Sequence, residues 1–230
     1  MAALYLIRHG QASFGEPEYD ELSSKGRQQS VMLGQSWHNL PQPDKFYTGD
    51  LKRHKQTFDA FNTELGSSSN AFSLSELNEF DHIDILLTAN PKWQTTQDIF
   101  QAFAHREDAK AALTDVFNQA LSEWITNADS PAYQENWHSF KTRCVNGLHK
   151  MVSQRAANEQ HIFAFSSGGV IAATIQYLLS LSDEHTLQLM QQLRNTSVTK
   201  VLFSGDRISL DYYNNYRHLE KVGASWSTYR

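Results

Sequence analysis

The stretch Leu4-Tyr-Leu-Ile-Arg-His-Gly-Gln-Ala12 decides the fold of this chain, because an apolar run stops there abruptly at charged and polar residues. Residues 4–7 are apolar without alternation and rich in strand formers, which is typical of a parallel strand buried on both faces. Arg8, His9 and Gly10 end that run. The stretch therefore predicts a central strand with a histidine at its carboxyl end.

A second stretch of the same kind lies late in the chain. Residues 161–166 predict another buried strand, which passes through Ser167-Gly-Gly169 into a helix over 170–181. The other predicted elements are helices over 23–39, 51–65 (with Asp50 as its N-cap) and 137–157, strands over 45–48 and 72–77, and a β-pair over 198–203 and 207–212 joined at Gly205 and Asp206. This alternation predicts an α/β fold, a three-layer sandwich with a mostly parallel sheet.

The pattern changes between about residues 81 and 137, where polar, helix-like segments carry scattered aromatic residues. We expect this part to be a helical insertion that covers the site as a cap, within a single domain over 1–230. Most of five aromatic residues are predicted to pack in the core or inside the insertion, and the alternative is that one or two of them line the entrance over His9 and select an apolar or extended leaving group. The five are Trp93, Phe100, Phe103, Trp124 and Trp137.

Composition excludes several classes of protein. Hydrophobic residues make up 40% of the 230 and charged residues 20%, as in a globular protein. No apolar run approaches the roughly 20 residues that a membrane helix needs. The formal net charge of −5 argues against a nucleic-acid partner. Because Cys144 is the single cysteine and residues 1–8 do not form a signal peptide, we expect a reduced, cytoplasmic protein.

Polar turns follow three of the predicted strands, at residues 8–11, 48–53 and 166–169, and a fourth follows Leu77 and contains Glu79. The carboxyl ends of parallel strands meet at one edge of a sheet, where α/β proteins bind ligands. Arginine guanidinium groups and helix N-termini both bind phosphate. The sequence therefore predicts a site for a phosphate-sized anion at this edge, although each turn alone could be purely structural.

Five ordered motifs resemble the histidine phosphatase (phosphoglycerate mutase-like) superfamily. The first is Leu6-Ile-Arg-His-Gly-Gln-Ala12, which is similar to the signature of that family. The other four are Leu22-Ser-Ser-Lys-Gly-Arg-Gln-Gln29, Tyr47-Thr-Gly-Asp-Leu-Lys-Arg-His-Lys-Gln-Thr57, Leu77-Asn-Glu-Phe80 and Ser166-Ser-Gly-Gly-Val-Ile171. Together they cover most of the chain, and the region 81–137 resembles the family least.

The resemblance implies a phosphomonoester hydrolase that acts on a small anionic phosphorylated substrate. His9 would be the nucleophile that forms a phosphohistidine, and Glu79 the proton donor to the leaving group. The implied phosphate-binding residues are Arg8, Gln11, Arg53, Ser167 and Gly168. The resemblance implies no cofactor and no metal, because the two arginines neutralise the charge of the phosphoryl group.

Ser167 departs from the family pattern, which usually has a second histidine at this position. Serine can donate a hydrogen bond to a phosphate oxygen, but it carries no positive charge. Losing one preorganised donor typically lowers the rate by about 10²- to 10³-fold. His54, His161 and His218 are three possible substitutes in space, and the sequence does not choose between them.

Three other functions are left open by the sequence. A protein that binds phosphorylated ligands with little or no catalysis is supported by Ser167. A phosphoglycerate mutase-type transferase is disfavoured, since residues 11–16 lack the asparagine that mutases carry beyond the histidine. A serine hydrolase would use Ser167 with Asp206 or Asp211 and then His218, but Phe165 replaces the first glycine of the nucleophile elbow.

The segment Asp81-His-Ile-Asp84 could be mistaken for a metal site. We interpret its polar residues as a solvated loop, because the sequence has no spacing typical of metal ligands around them.

Overall fold

A computed structural model describes residues 1–13, 20–205 and 207–229 of the chain. It contains a mixed sheet of six strands, arranged in the order β3-β2-β4-β1-β5-β6. The strands are β1 (Ala2–Arg8), β2 (Lys45–Thr48), β3 (Ala71–Ser73), β4 (His161–Ser166), β5 (Val198–Ser204) and β6 (Arg207–Asn215). The pairs β3–β2, β2–β4 and β4–β1 are parallel, whereas β1–β5 and β5–β6 are antiparallel. The predicted α/β fold is thus confirmed, and of the five strand pairs in this sheet the three on the β3 side are parallel.

The register of the parallel strands brings their carboxyl ends to one edge. Arg8 lies opposite Ser166, and Thr48 lies opposite Phe165. Beyond these pairs the backbone bonding continues, because the His9 N–H donates to the Ser166 carbonyl at 2.9 Å. The Gly49 N–H likewise donates to the Phe165 carbonyl at 3.1 Å. The polar turns that follow β1, β2 and β4 are therefore adjacent, as their sequence order predicted.

The chain forms two compact units, one of residues 1–79 with 144–230 and the other of residues 80–143. The helices of the larger unit are α1 (Ser24–Trp37), α2 (Lys52–Glu64), α7 (Gly168–Leu179), α8 (Asp183–Gln192) and α9 (Arg217–Glu220). The smaller unit contains α3 (His82–Ala89), α4 (Thr96–Phe103) and α5 (Ala109–Thr126), and α6 (Trp137–Ser153) runs from it into the larger unit. No helix of the described residues is both long enough and apolar enough to cross a membrane. That residues 81–137 cover the site stays a prediction.

The core of the larger unit is rich in aromatic side chains. Tyr5 and Phe163 on neighbouring strands have ring centroids 4.6 Å apart, and Trp37 of α1 meets Phe163 edge-on at 5.0 Å. Phe61 of α2 packs on the same cluster and is fully buried. Alternate residues of β1 point to the opposite face, against which α7 packs. Burial on both faces explains why β1 is apolar without alternation.

The smaller unit has an aromatic core of its own. Trp124 lies 5.2 Å from Trp137 and 5.6 Å from Phe140, measured between ring centroids. Its indole N–H donates to the Glu135 carbonyl at 2.9 Å, so the buried polar atom is satisfied. Phe100, in contrast, is 53% exposed. The prediction of internal packing therefore fits Trp124 and Trp137 but not Phe100.

Four local predictions differ from the structure. Asp50 is not the N-cap of α2, because its carboxylate binds Ser73 and Asn78 instead, and Asp20 accepts the Lys52 N–H at 2.7 Å. The strand predicted over 72–77 is β3 followed by a 3₁₀ turn at Ser75–Leu77. Helix α6, predicted to reach residue 157, ends at 153 because residues 154–159 form a turn. Helix α8 was not predicted, since its sequence is polar with few apolar residues.

Candidate active site

His9 is the centre of the site and follows directly on β1. Its side chain is buried, and its residue exposure is only 7%. Its Nδ1 lies 2.7 Å from the Gly10 carbonyl oxygen. A carbonyl can only accept, so Nδ1 carries the proton and Nε2 is left with its lone pair. Burial, together with the positive charges of Arg53 and Arg8 and the neighbouring His54, holds the pKa of His9 well below its ordinary value. The imidazole is therefore neutral and suited to act as a nucleophile.

Two arginines lie close enough for their charges to act on His9. Arg53 stands in the first turn of α2, is 94% buried, and donates through Nη1 to an Asp20 carboxylate oxygen at 2.7 Å. Arg8 ends β1, donates to the Leu193 carbonyl, and passes beside the first residue of α7, Gly168. Both guanidinium groups are thus positioned by contacts within the larger unit.

Close packing of two glycines fixes the turn that carries His9. A Cβ atom on Gly10 would lie 2.4 Å from the Gly26 carbonyl oxygen, and one on Gly26 would lie 2.1 Å from the Gln11 carbonyl oxygen. Real Cβ atoms do not approach backbone so closely, so both positions require glycine. The Gly10 N–H also donates to Thr57 Oγ1 at 3.0 Å. The turn is therefore held against α1 and α2 together.

The N-terminus of α7 forms another wall of the site. Ser167 is its N-cap residue, and Gly168 and Gly169 open the helix. The Gly169 N–H donates to Glu79 Oε2 at 3.1 Å, so the candidate proton donor lies at this helix end. A helix N-terminus favours negative charge through its free N–H groups and its dipole. The start of α7 therefore binds the Glu79 carboxyl group and also favours a phosphate close by.

Of the three histidines proposed as substitutes for the missing one, His54 lies in the site. It is fully buried, its Nε2 is 2.6 Å from Ser167 Oγ, and its ring centroid is 5.7 Å from that of His9. His161 lies at the start of β4 and contacts the Tyr5 hydroxyl at 3.3 Å. His218 contacts Thr196 Oγ1 at 2.9 Å. Of the three, His54 is the one that contacts Ser167 and lies beside His9.

Gln11 is tied to α1. Its Oε1 accepts from the Ser23 hydroxyl at 3.1 Å, and its backbone N–H donates to Gln29 Oε1 at 2.9 Å. These contacts link the His9 turn to the N-cap of α1. That Gln11 binds phosphate stays a prediction.

Three residues of this region had no signal in the sequence. The Asp20 carboxylate accepts a hydrogen bond from the Arg53 guanidinium group, as described above. Asn195 donates through Nδ2 to the His9 carbonyl at 3.1 Å, and the Thr196 N–H donates to the Arg8 carbonyl at 3.0 Å. Thr196 does so with a positive φ of 58°, an uncommon conformation for threonine. Nothing in the local sequence of Asn195 and Thr196 indicated that they would bind the backbone at the end of β1, which is almost 190 residues away in the chain.

The triad of the alternative serine-hydrolase function is not assembled among the described residues. Asp211 pairs with Lys200 at 2.8 Å, His218 contacts Thr196, and Ser167 contacts His54. Asp206 lies outside the described residues, as do residues 14–16, on which the comparison with mutases depends.

The Asp81 carboxylate accepts the backbone N–H groups of Ile83 and Asp84, so it caps α3. Within residues 1–13, 20–205 and 207–229, no group of three or more His, Cys, Asp or Glu side chains could hold a metal ion.

A family model described as histidine phosphatase superfamily (branch 1) matches residues 4–216 of this chain. A sequence search of curated proteins finds no significant match. Several solved structures share the fold. One is a histidine-to-alanine mutant of phosphoserine phosphatase from Entamoeba histolytica in complex with phosphoserine, which is 20% identical with a TM-score of 0.65 over 95% of this chain and 100% of that chain.

Two further solved structures show the same likeness. Mycobacterial glucosyl-3-phosphoglycerate phosphatase in complex with VO3 is 22% identical, with a TM-score of 0.61 over 94% of this chain and 100% of that chain. Phosphoglycerate mutase from Bacillus anthracis is 18% identical, with a TM-score of 0.65 over 96% of each chain. These similarities extend over nearly the whole of the described fold.

Proposed function

Because the chain belongs to the histidine phosphatase superfamily (branch 1), we propose that it hydrolyses phosphomonoesters through a phosphohistidine on His9. The observation that supports this most directly is the hydrogen bond from His9 Nδ1 to the Gly10 carbonyl at 2.7 Å. It leaves Nε2 unprotonated, and the lowered pKa of His9 keeps the ring in that form at neutral pH. A neutral imidazole beside two guanidinium groups is suited to attack phosphorus.

In the first step, His9 Nε2 forms a bond to phosphorus and the bond from phosphorus to the ester oxygen breaks. The leaving oxygen takes a proton from the Glu79 carboxylic acid, which becomes a carboxylate. Arg8 and Arg53 bind the equatorial phosphoryl oxygens and stabilise their charge as the bonds exchange. The first product is an alcohol, and the phosphoryl group stays on His9.

In the second step, water attacks the phosphohistidine. Glu79 accepts a proton from that water as the new bond to phosphorus forms and the bond to Nε2 breaks. Inorganic phosphate leaves, and His9 and Glu79 return to their starting protonation states. One carboxyl group thus serves as acid and then as base.

We further propose a small phosphorylated metabolite as the substrate. The solved relatives that bind phosphoserine or act on glucosyl-3-phosphoglycerate support that class. Arg53 and His9 are both buried, and this favours a compact phosphomonoester. Transfer to a second hydroxyl, as in a mutase, is the alternative that a product analysis separates from hydrolysis.

The test is a panel of phosphomonoesters that includes p-nitrophenyl phosphate, phosphoserine and 3-phosphoglycerate, assayed for phosphate release. We expect His9→Ala to lower kcat by at least about 10³-fold, since the nucleophile is lost. His38→Ala, at a half-exposed histidine outside the site, is the matched control and should retain wild-type activity. Rapid-quench experiments should trap a phosphoenzyme that is labile to acid and stable to base.

Full activity in His9→Ala would contradict the mechanism. Isomerisation of 3-phosphoglycerate without phosphate release would assign the chain to the mutases. Tight binding of phosphate, with neither turnover nor a phosphoenzyme at high protein concentration, would leave the ligand-binding alternative.

A further inference from the structure

Ser167 departs from the usual behaviour of a serine at the start of a helix. An N-cap serine normally accepts a hydrogen bond from a backbone N–H in the first turn. Ser167 holds the N-cap position of α7 with an extended backbone, φ −120° and ψ 169°, yet its side chain makes no capping bond. Its hydroxyl instead lies 2.6 Å from His54 Nε2. The Ser167 side chain thus joins the start of α7 to α2 and does not cap its own helix.

The surroundings of His54 determine which of its nitrogens carries the proton. The residue is fully buried, and its Nδ1 has no hydrogen-bond partner within the described part of the chain. A buried N–H without an acceptor is rarer and costlier than an acceptor without a donor. The proton therefore belongs on Nε2, which donates to Ser167 Oγ. Ser167 then keeps its own hydroxyl hydrogen for a different acceptor.

Burial and the charges of Arg53 and Lys55 lower the pKa of His54 well below its ordinary value. The ring is consequently neutral near pH 7, and its Nε2–H tautomer is preserved.

The pair adjoins the groups that would hold the phosphoryl group. The backbone N–H of His9 donates to the carbonyl of Ser166, the residue immediately before Ser167, at 2.9 Å. A Cβ on Gly168, the residue immediately after, would lie 3.5 Å from Arg8 Nε. The rings of His54 and His9 are neighbours, with centroids 5.7 Å apart. Ser167 thus stands at the sequence position where members of the family usually have the second histidine, and His54 is in direct contact with it.

We propose that His54 and Ser167 together replace that second histidine, with Ser167 as the direct donor to a phosphoryl oxygen and His54 as its positioning residue. The inference rests on the proposed phosphatase function. His54 Nε2–H donates to Ser167 Oγ, and Ser167 Oγ–H donates to the phosphoryl oxygen. Hydrogen bonds linked in this way strengthen one another in a buried site. No proton is transferred along the chain of bonds, so the pair acts by orientation alone.

The decisive variants are His54→Gln and His54→Met. Glutamine and methionine have nearly the same length and helix propensity, but only glutamine keeps an N–H that can donate to Ser167. We expect His54→Met to lower kcat by about 10- to 100-fold with less than about 3-fold change in KM, and His54→Gln to retain most of kcat. Thermal unfolding of both variants controls for folding, and the comparison holds even if both are less stable.

A reciprocal exchange tests the replacement itself. His54→Ala combined with Ser167→His returns the histidine to the family position, and we expect it to restore at least 10-fold of the kcat lost in His54→Ala. Ser167→His alone should lower kcat, because the larger ring would meet the buried His54, whose Nε2 lies 2.6 Å from Ser167 Oγ. His54→Ala and Ser167→Ala should also be non-additive, since both remove one and the same hydrogen-bonded unit.

Three results would overturn this proposal while leaving the proposed function intact. The first is wild-type kcat in a folded His54→Met variant, and the second is equal loss in the glutamine and methionine variants. The third is a rise of 100-fold or more in Ser167→His alone, which would mean that the natural pair does not replace the histidine. Phosphate release that survives in His9→Ala would instead refute the proposed function. Covalent labelling of Ser167 by a fluorophosphonate would make the pair a nucleophile and its base, against both proposals.

Discussion

At the scale of single residues, the site combines two neutral histidines with an arginine that is paired with a carboxylate. His9 and His54 are both neutral, because burial and, second to it, the nearby positive charges lower the pKa of each ring well below its ordinary value. Arg53 is balanced by Asp20, whose carboxylate lies 2.7 Å from Nη1. The same carboxylate accepts the Lys52 N–H and so satisfies the first turn of α2. Asp20 thus stabilises the helix and competes for the guanidinium group with any anionic ligand.

This competition leads to a prediction for Asp20→Asn. Asparagine can still accept the Lys52 N–H, so α2 should keep its stability, but the negative charge beside Arg53 is removed. We expect KM for a phosphomonoester to fall by about 3- to 10-fold, with the difference shrinking at high salt. Glu21→Gln is the matched control, since Glu21 pairs with Lys52 and not with Arg53. An unchanged KM in Asp20→Asn would show that Asp20 and the substrate do not compete.

At the scale of elements, the site depends on the close approach of α1 to the His9 turn. Gly26 belongs to α1, where alanine would ordinarily be the more stable residue by about 1 kcal/mol. We expect Gly26→Ala to destabilise the protein nevertheless, by about 2–4 kcal/mol, because its Cβ would lie 2.1 Å from the Gln11 carbonyl oxygen. Urea unfolding measures the change in the free energy of unfolding.

Gln35→Ala is the control for that measurement, because Gln35 is an exposed residue of the same helix and should change stability by at most about 0.5 kcal/mol. If Gly26→Ala is as stable as Gln35→Ala, the turn can move away from α1 without cost. The activity of Gly26→Ala should also fall, since the same contact positions His9.

The elements differ in how far the sequence could predict them. Strands β2 and β4 were predicted with their observed bounds, because each is a short run of strand-forming residues that ends at a polar turn. The N-terminal cap of α2 was not predicted correctly, since the first N–H of this helix donates to Asp20, a residue far from α2 in the sequence. His54 could not be chosen over His161 and His218, because the decision depends on how α2 packs beside α7. Local pattern predicts elements, whereas contacts between distant segments decide caps and partners.

At the scale of the whole molecule, buried neutral histidines make stability depend on pH. His218 is 8% exposed, and burial lowers its pKa from 6.5 to about 4. Below pH 6.5 the unfolded chain therefore binds a proton that the folded chain does not. We expect the free energy of unfolding to fall as the pH drops from about 6.5 to about 4, with His218 alone contributing about 3 kcal/mol. The lowered pKa values of His9 and His54 act in the same direction.

Urea unfolding at several pH values measures this dependence. His218→Gln should show a shallower loss of stability between pH 6.5 and pH 4 than the wild type, while His105→Gln, at an exposed histidine, should follow the wild-type curve. Parallel curves for the wild type and His218→Gln would mean that the pKa of His218 is the same in the folded and unfolded states, which would contradict the prediction. Glutamine can still donate to Thr196, so the comparison isolates the titration.

The central place of β1 has a consequence for how the molecule loses activity. This strand is paired with β4 on one side and β5 on the other, so its successive backbone amides are held alternately by the two ladders and exchange with solvent only when the ladder that holds them opens. Amides of residues 3–7 should therefore be among the slowest to exchange, with opening free energies near that of global unfolding. His9, joined directly to β1, is shielded from local fraying, and heat inactivation should follow the unfolding of the entire larger unit.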